Sequence, residues 1–207
     1  MSDIYVYELE GKVYINLTNS CTNSCVFCIR TLKDDVVGQN LWLKSENVFF
    51  DDVVEQLKNF KIDNNEVVFC GYGEPLIKLD LVKQIAKHIK ENYKNTRIRI
   101  NTNGMANMIH KRDIVPELVG LIDAVSVSLN AENEELYNAI SNPAKAYLGA
   151  YSRVKEFIWY CAKAGIDTTA TIVVGYKDFK PDVEKCEQIA KNLGAKFRIR
   201  EWLDNGY

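Results

Sequence analysis

Cys21, Cys25 and Cys28 place three thiols within eight residues, in a C-x3-C-x2-C spacing with the aromatic Phe27 directly before the last of them. A segment so short, held in a loop, can point three sulfurs at one centre. Three thiolates suit a soft metal ion or an iron–sulfur cluster, and a trio leaves one coordination position open. Open positions belong to centres that do chemistry rather than to centres that only brace a fold. The competing reading is a three-cysteine zinc knuckle completed by a distant fourth ligand. His88 rides on a helix-like stretch and His110 falls in a loop, neither at ligand spacing from the cysteines. The zinc reading therefore has no ready fourth partner.

The remaining cysteines have a plainer role. Cys161 shares a helical stripe with Val154, Phe157 and Ile158, and Cys186 shares one with Val183, Ala190 and Leu193. Free cysteine in such places behaves as a small buried hydrophobe. Cys70 ends an apolar run, Glu66 to Cys70, beside the glycine-rich stretch Gly71-Tyr72-Gly73-Glu74-Pro75.

That stretch is one of several polar segments that follow strand-like runs. The others are Asn101-Thr102-Asn103-Gly104, Ser126 to Asn130 with Ser128 between, and Val174-Gly175-Tyr176. In barrels and open α/β sheets, ligands bind at the carboxyl ends of the strands. Turn chemistry alone accounts for one such segment but poorly for all of them. Glycine lets a ligand approach the backbone, and an anionic Glu74 suits an ammonium. Arg30, Arg198 and Arg200 are candidates for meeting an anion, against the plainer reading of surface ion pairs. The connection 29–47, with Lys33-Asp34-Asp35, Gly38 and Trp42, is long enough to be a functional lid over a substrate.

The elements that must position these groups alternate along the chain. Ile4–Tyr7 and Lys12–Asn16 read as an opening hairpin around Glu10-Gly11. Helical periodicity covers about 51–60, 80–93, 113–121, 134–140 and 151–164, and strand-like runs cover 66–70, 97–101, 124–129, 168–174 and 196–200. A final helix is expected to start with Pro181 near its first turn and to end at Gly194. Strand–helix alternation implies right-handed βα units around a parallel sheet with helices outside it. Six units fall short of the eight that close a full barrel, so the expected fold is α/β: an open, partial (βα)6 TIM-like barrel behind a short N-terminal hairpin, as a single domain over 1–207.

Composition narrows the function classes. The 207 residues are 47% hydrophobic and 26% charged, with a net charge of −2. There is no basic field for non-specific nucleic-acid binding and no apolar run long enough to span a membrane. The N-terminus carries no signal-peptide pattern, and clustered rather than spread cysteines fit a reducing cytoplasm, anaerobic where a cluster is exposed.

The cysteine motif with its aromatic resembles the signature of the radical S-adenosylmethionine (SAM) superfamily, and the resemblance runs from about Val13 to Trp202. It implies that Cys21, Cys25 and Cys28 ligate three irons of a 4Fe–4S cluster whose fourth iron is chelated by SAM. Gly71-Tyr72-Gly73-Glu74 is similar to the superfamily's Gly-Gly-Glu motif, with Tyr72 replacing the first glycine of the pair; Tyr72, Gly73 and Glu74 would hold SAM's amino group. Thr102 and Asn103 would reach SAM's carboxylate or ribose, as would Ser128 and Asn130, and Phe27 would stack on the adenine. Arg30, Trp42 and Arg200 are the candidates for touching substrate. The reduced cluster would split SAM into methionine and a 5′-deoxyadenosyl radical that takes hydrogen from a substrate, a protein or a small molecule, with an external electron donor such as flavodoxin or ferredoxin. Within the superfamily the pattern resembles the TatD-associated radical SAM proteins, and more loosely the activating enzymes of the pyruvate formate-lyase type. A metal-bearing binding module without turnover is the non-enzyme alternative.

Overall fold

The computed structural model describes residues 3–32, 35–36 and 38–202. Two short strands, β1 (Val6–Leu9) and β2 (Lys12–Ile15), form the expected hairpin, with Glu10 and Gly11 both at positive φ in its turn. Five further strands follow: β3 (Glu66–Phe69), β4 (Arg97–Thr102), β5 (Ala124–Ser128), β6 (Asp167–Val174) and β7 (Lys196–Glu201). They lie in the order β1-β2-β3-β4-β5-β6-β7. Only the β1–β2 pair is antiparallel; every later neighbour is parallel, and β1 and β7 do not pair. The result is the open partial barrel that the unit count predicts.

The helices are α1 (Ile29–Leu32), α2 (Phe50–Leu57), α3 (Leu79–Asn92), α4 (Ala106–His110), α5 (Val115–Leu118), α6 (Glu134–Ser141), α7 (Ala150–Lys163) and α8 (Val183–Asn192). Their apolar stripes face the convex side of the sheet. On α3 the stripe is Leu79, Val82, Ile85, Ala86 and Ile89, all buried. Strand parity delivers the other half of the core: Ile98, Ile100 and Thr102 of β4 are buried against the helices, while Arg97, Arg99 and Asn101 alternate with them on the concave face.

Two expectations shift. The helix expected over 113–121 is one turn only: Pro116 lies in its first turn, and Val119 is already extended with Gly120 at positive φ after it; a second short helix, α4, precedes it. The last helix begins after Asp182, whose side chain accepts from the Lys185 amide at 3.0 Å; an aspartate cap wins over Pro181 as the start signal. Cys161 and Cys186 are buried as expected. Within the 29–47 connection, Lys33 and Asp34 lie outside the described residues.

Candidate active site

The cysteine loop follows β2 at the carboxyl edge of the sheet, and neighbouring segments shape it from several sides. Its backbone pairs with the segment after α6: Ser24 N donates to Asn142 O (3.0 Å), Val26 N to Ile140 O (3.0 Å) and Ala144 N to Thr22 O (2.9 Å). Asn23 reaches the buried Tyr137 hydroxyl at 3.4 Å. Arg30 Nη1 donates to the Asn19 carbonyl (2.8 Å) and Nη2 to the Asn23 carbonyl (3.2 Å), so its fork staples the loop on both sides of Cys21. The guanidinium is committed to the loop backbone.

Residues 41–47 brace the loop from below. Asn19 exchanges bonds with the backbone of Leu43 (2.7 and 3.0 Å), and Glu46 accepts from Thr18 Oγ1 (2.6 Å) and Asn19 N (2.9 Å). This half of the connection is a buttress for the cysteine loop. Trp42 stands 43% exposed, edge-on to Tyr72 at 5.2 Å between ring centroids. Tyr72 itself is buried in a small apolar cluster with Tyr7, Val36 and Leu41.

Gly73 is a glycine for a packing reason. A Cβ there would lie 2.4 Å from the Thr18 carbonyl oxygen and 2.5 Å from that of Ser20, both backbone. The glycine lets β3's carboxyl end press against the root of the cysteine loop, and Glu74 N then donates to Ser20 O at 2.8 Å. Glu74 is buried and knits the next strand end to this one: Thr102 Oγ1 donates to its Oε1 (2.8 Å), Asn103 N to its Oε2 (2.7 Å) and Leu76 N to its Oε1 (3.1 Å). Burial pushes the carboxyl up to about 7, against these three donors, which pull it down.

Asn103 closes the circuit. Its Nδ2 donates to Thr22 Oγ1 (2.8 Å) and lies 3.6 Å from Cys21 Sγ. The cysteine loop, the β3 end and the β4 end thus form one hydrogen-bonded unit. Ser128 is half-buried at the end of β5. Asn130 sits at φ +60 with its Nδ2 on Ser141 Oγ (2.9 Å), and so holds α6 to the strand end. Phe27 meets the buried Tyr176 edge-on at 6.1 Å; Tyr176 also contacts Phe179 and Trp202, an aromatic group that the sequence reading did not assemble.

The three loop thiols are free and half-buried. Burial pushes the Cys25 thiol up to about 12, with Cys28 and Cys21 adding to the shift, and burial followed by Glu74 raises that of Cys21. Thiols this close and this poorly solvated stay protonated unless a cationic centre takes the charge, which is what a metal supplies. A cluster meets each thiolate at a different iron, and the donor set fits that demand.

A cavity of about 460 Å³ opens on the concave face beneath these strand ends, lined among others by Tyr14, Cys70, Arg99, Asn101, Arg198 and Arg200. Of the three substrate candidates, Arg200 lines it; Arg30 and Trp42 do not.

The family whose sequence model matches is the Radical SAM superfamily, over residues 15–190. A dual-specificity RNA methyltransferase RlmN from Buchnera aphidicola subsp. Schizaphis graminum is 24% identical over 96% of the chain and 56% of its own length. The RlmN protein of Sulfurovum sp. (strain NBC37-1) is 30% identical over 97% of the chain and 55% of its own length. The chain therefore spans about half the length of the curated relatives it matches. Among solved structures, a radical SAM methyltransferase from Sphaerobacter thermophilus aligns with a TM-score of 0.59 at 15% identity, covering 95% of this chain and 68% of that one. The structure titled native anSMEcpe with bound AdoMet and Cp18Cys peptide aligns at 0.62 and 18% identity, covering 92% and 50%. These similarities share the fold. They lead to the superfamily and to RNA methyltransferase relatives, not to the TatD-associated proteins or the formate-lyase activases that the motifs resemble. Its cofactors are those of the family, a 4Fe–4S cluster and SAM, and the chain belongs to the radical SAM superfamily of enzymes.

Proposed function

We propose that Cys21, Cys25 and Cys28 hold the cluster, and that SAM lies across the ends of β3, β4 and β5 with its reactive end toward the concave cavity. The observation that carries this is the hydrogen-bonded unit of Glu74, Thr102, Asn103 and Thr22 around Cys21. When bound, the cluster supplies the electron that splits SAM and yields a radical able to take hydrogen from substrate. The chain's own residues do the rest. Arg30 and Asn19 fix the shape of the cysteine loop, and Glu74 orients the Thr102–Asn103 turn. Backbone groups at Gly71–Gly73 face SAM's polar end, with Ser128 beside the ribose. Phe27, backed by Tyr176, covers the adenine and excludes water. An external one-electron donor completes the reaction.

The relatives' names favour one outcome over the others: methylation of RNA. We carry it as the second reading, to be separated from hydrogen abstraction without methyl transfer. Anaerobic reconstitution with iron and sulfide, reduction and addition of SAM test both. About four irons per chain and slow release of 5′-deoxyadenosine, both lost in Cys25→Ala, are the expected result. One zinc per chain with no SAM cleavage under any reductant would leave a metal-stabilised binding module. Methylated RNA, formed only with the intact cysteine trio, would establish the second reading.

A further inference from the structure

The concave face is unusual for a parallel sheet. Such sheets are ordinarily buried and apolar on both faces, and barrel interiors are filled with layers of branched side chains. Here the rows facing inward are polar. Asn101, Ser126 and Thr169 share one row, and Ser128, Thr171 and Arg198 share the next. The wall of the 460 Å³ cavity carries four cationic side chains, Lys12, Arg99, Arg198 and Arg200, against two carboxylates, Glu10 and Glu201. Glu66 beside this wall offsets part of that charge by pairing with Lys12 and Arg99.

The guanidiniums are held in place by neighbours. Arg99 makes a two-pronged pair with Glu66, 3.2 Å at each prong, and also donates to Asn101 Oδ1. Glu66 is shared by Lys12 (3.0 Å) and Arg97 (3.6 Å) as well, so one carboxylate serves three cations. Arg198 reaches across the face to Ser126 Oγ at 3.1 Å. Arg200 shares this cavity wall with Cys70 and Asn101. Guanidiniums are planar forks suited to bidentate recognition of phosphate or carboxylate; Arg99 turns its fork to Glu66, while Arg198 is exposed and Arg200 half-buried at the cavity wall. The volume lies in the range of small-molecule sites.

We propose that the concave cavity binds an anionic group of the substrate, a phosphate or carboxylate, at Arg198 and Arg200, with the remaining volume taking a moiety of about nucleotide size. The proposal rests on the reading that SAM lies above this face. The anion places the substrate's body under the ends of β3 and β4, beside Cys70 and Asn101.

The test uses the reconstituted protein and isothermal titration with inorganic phosphate, adenosine monophosphate and a short oligoribonucleotide, with SAM titrated separately. Saturable binding of phosphate or the monophosphate is expected, weakened about tenfold or more in Arg198→Gln and Arg200→Gln, the loss for one charged hydrogen bond. Arg153→Gln, on the outer face of α7, should leave it unchanged. If a glutamine variant fails to fold, Arg198→Lys and Arg200→Lys decide, by retaining part of the affinity. Binding of the oligoribonucleotide alone, with the same arginine dependence, would make the anion a phosphate of an RNA chain. No saturable binding of any of the three, or binding indifferent to both arginines, overturns the proposal while SAM binding stands. Loss of SAM binding in the unmodified protein would instead sink the functional reading and leave the anion result to be read by itself.

Discussion

Glu74 is a carboxylate that the site keeps away from water and surrounds with donors. The sequence suggests that it meets an ammonium directly; the fold turns both oxygens toward Thr102, Asn103 and Leu76. It fixes the Thr102–Asn103 turn at the end of β4. Its folded value, about 7, stands above the ordinary 4.5. A raised carboxyl contributes stability that is fully present below about 4.5 and is lost as pH rises through about 7. The urea midpoint of the iron-free protein should therefore fall between pH 4.5 and 7.5 by more than that of Glu74→Gln, in which this group no longer titrates. Equal slopes in the two proteins would show that burial leaves Glu74 ionised throughout. Arg30 teaches a related lesson: a cation two residues past Cys28 looks like an anion receptor, yet both its terminal nitrogens are spent on carbonyls of its own loop. Spacing in sequence could not show this, because the loop's path decides where its carbonyls point.

At the scale of elements, the strand ends were readable because each must break its apolar run with small or polar residues. The β3 end stands out in the sequence by its glycines, and the fold gives Gly73 a packing role. Gly73 makes room for the Thr18 and Ser20 carbonyls. Backbone cannot yield as a flexible side chain can, so Gly73→Ala should cost about 1–3 kcal/mol or more by overpacking. Thermal melting and iron content after reconstitution check this; an alanine variant that melts and loads like the parent would show that the loop root can move aside. The alternation Arg97-Ile98-Arg99-Ile100-Asn101 on β4 was legible too, as period-2 burial with one polar face. What it could not reveal is that the cations gather with those of β7, which depends on how far the sheet curls. Nor could the 29–47 connection show that its second half braces the cysteines, since Glu46 and Asn19 meet only once both segments are folded.

The whole molecule joins its metal site to its stability. Whatever binds the folded state alone stabilises it by mass action, and the cysteine loop has its shape only in the folded state. The reconstituted protein should unfold at a higher denaturant concentration than the iron-free one, whereas Cys25→Ala should show no difference between the two treatments. Circular dichroism under anaerobic conditions measures both. A parent protein whose midpoint ignores iron would mean that the loop binds equally well when unfolded.

The pairing of the cysteine loop with residues 140–144 also sets a schedule. Cys21, Cys25 and Cys28 leave the ribosome more than a hundred residues ahead of their backbone partners, roughly ten seconds at ordinary rates of synthesis. During that interval the three thiols are present and unshaped, exposed to stray zinc, to oxidants and to one another. The chain can take its cluster only after α6 has been made and docked, so loading iron comes late, and a filled site certifies that the sheet beneath it has already formed.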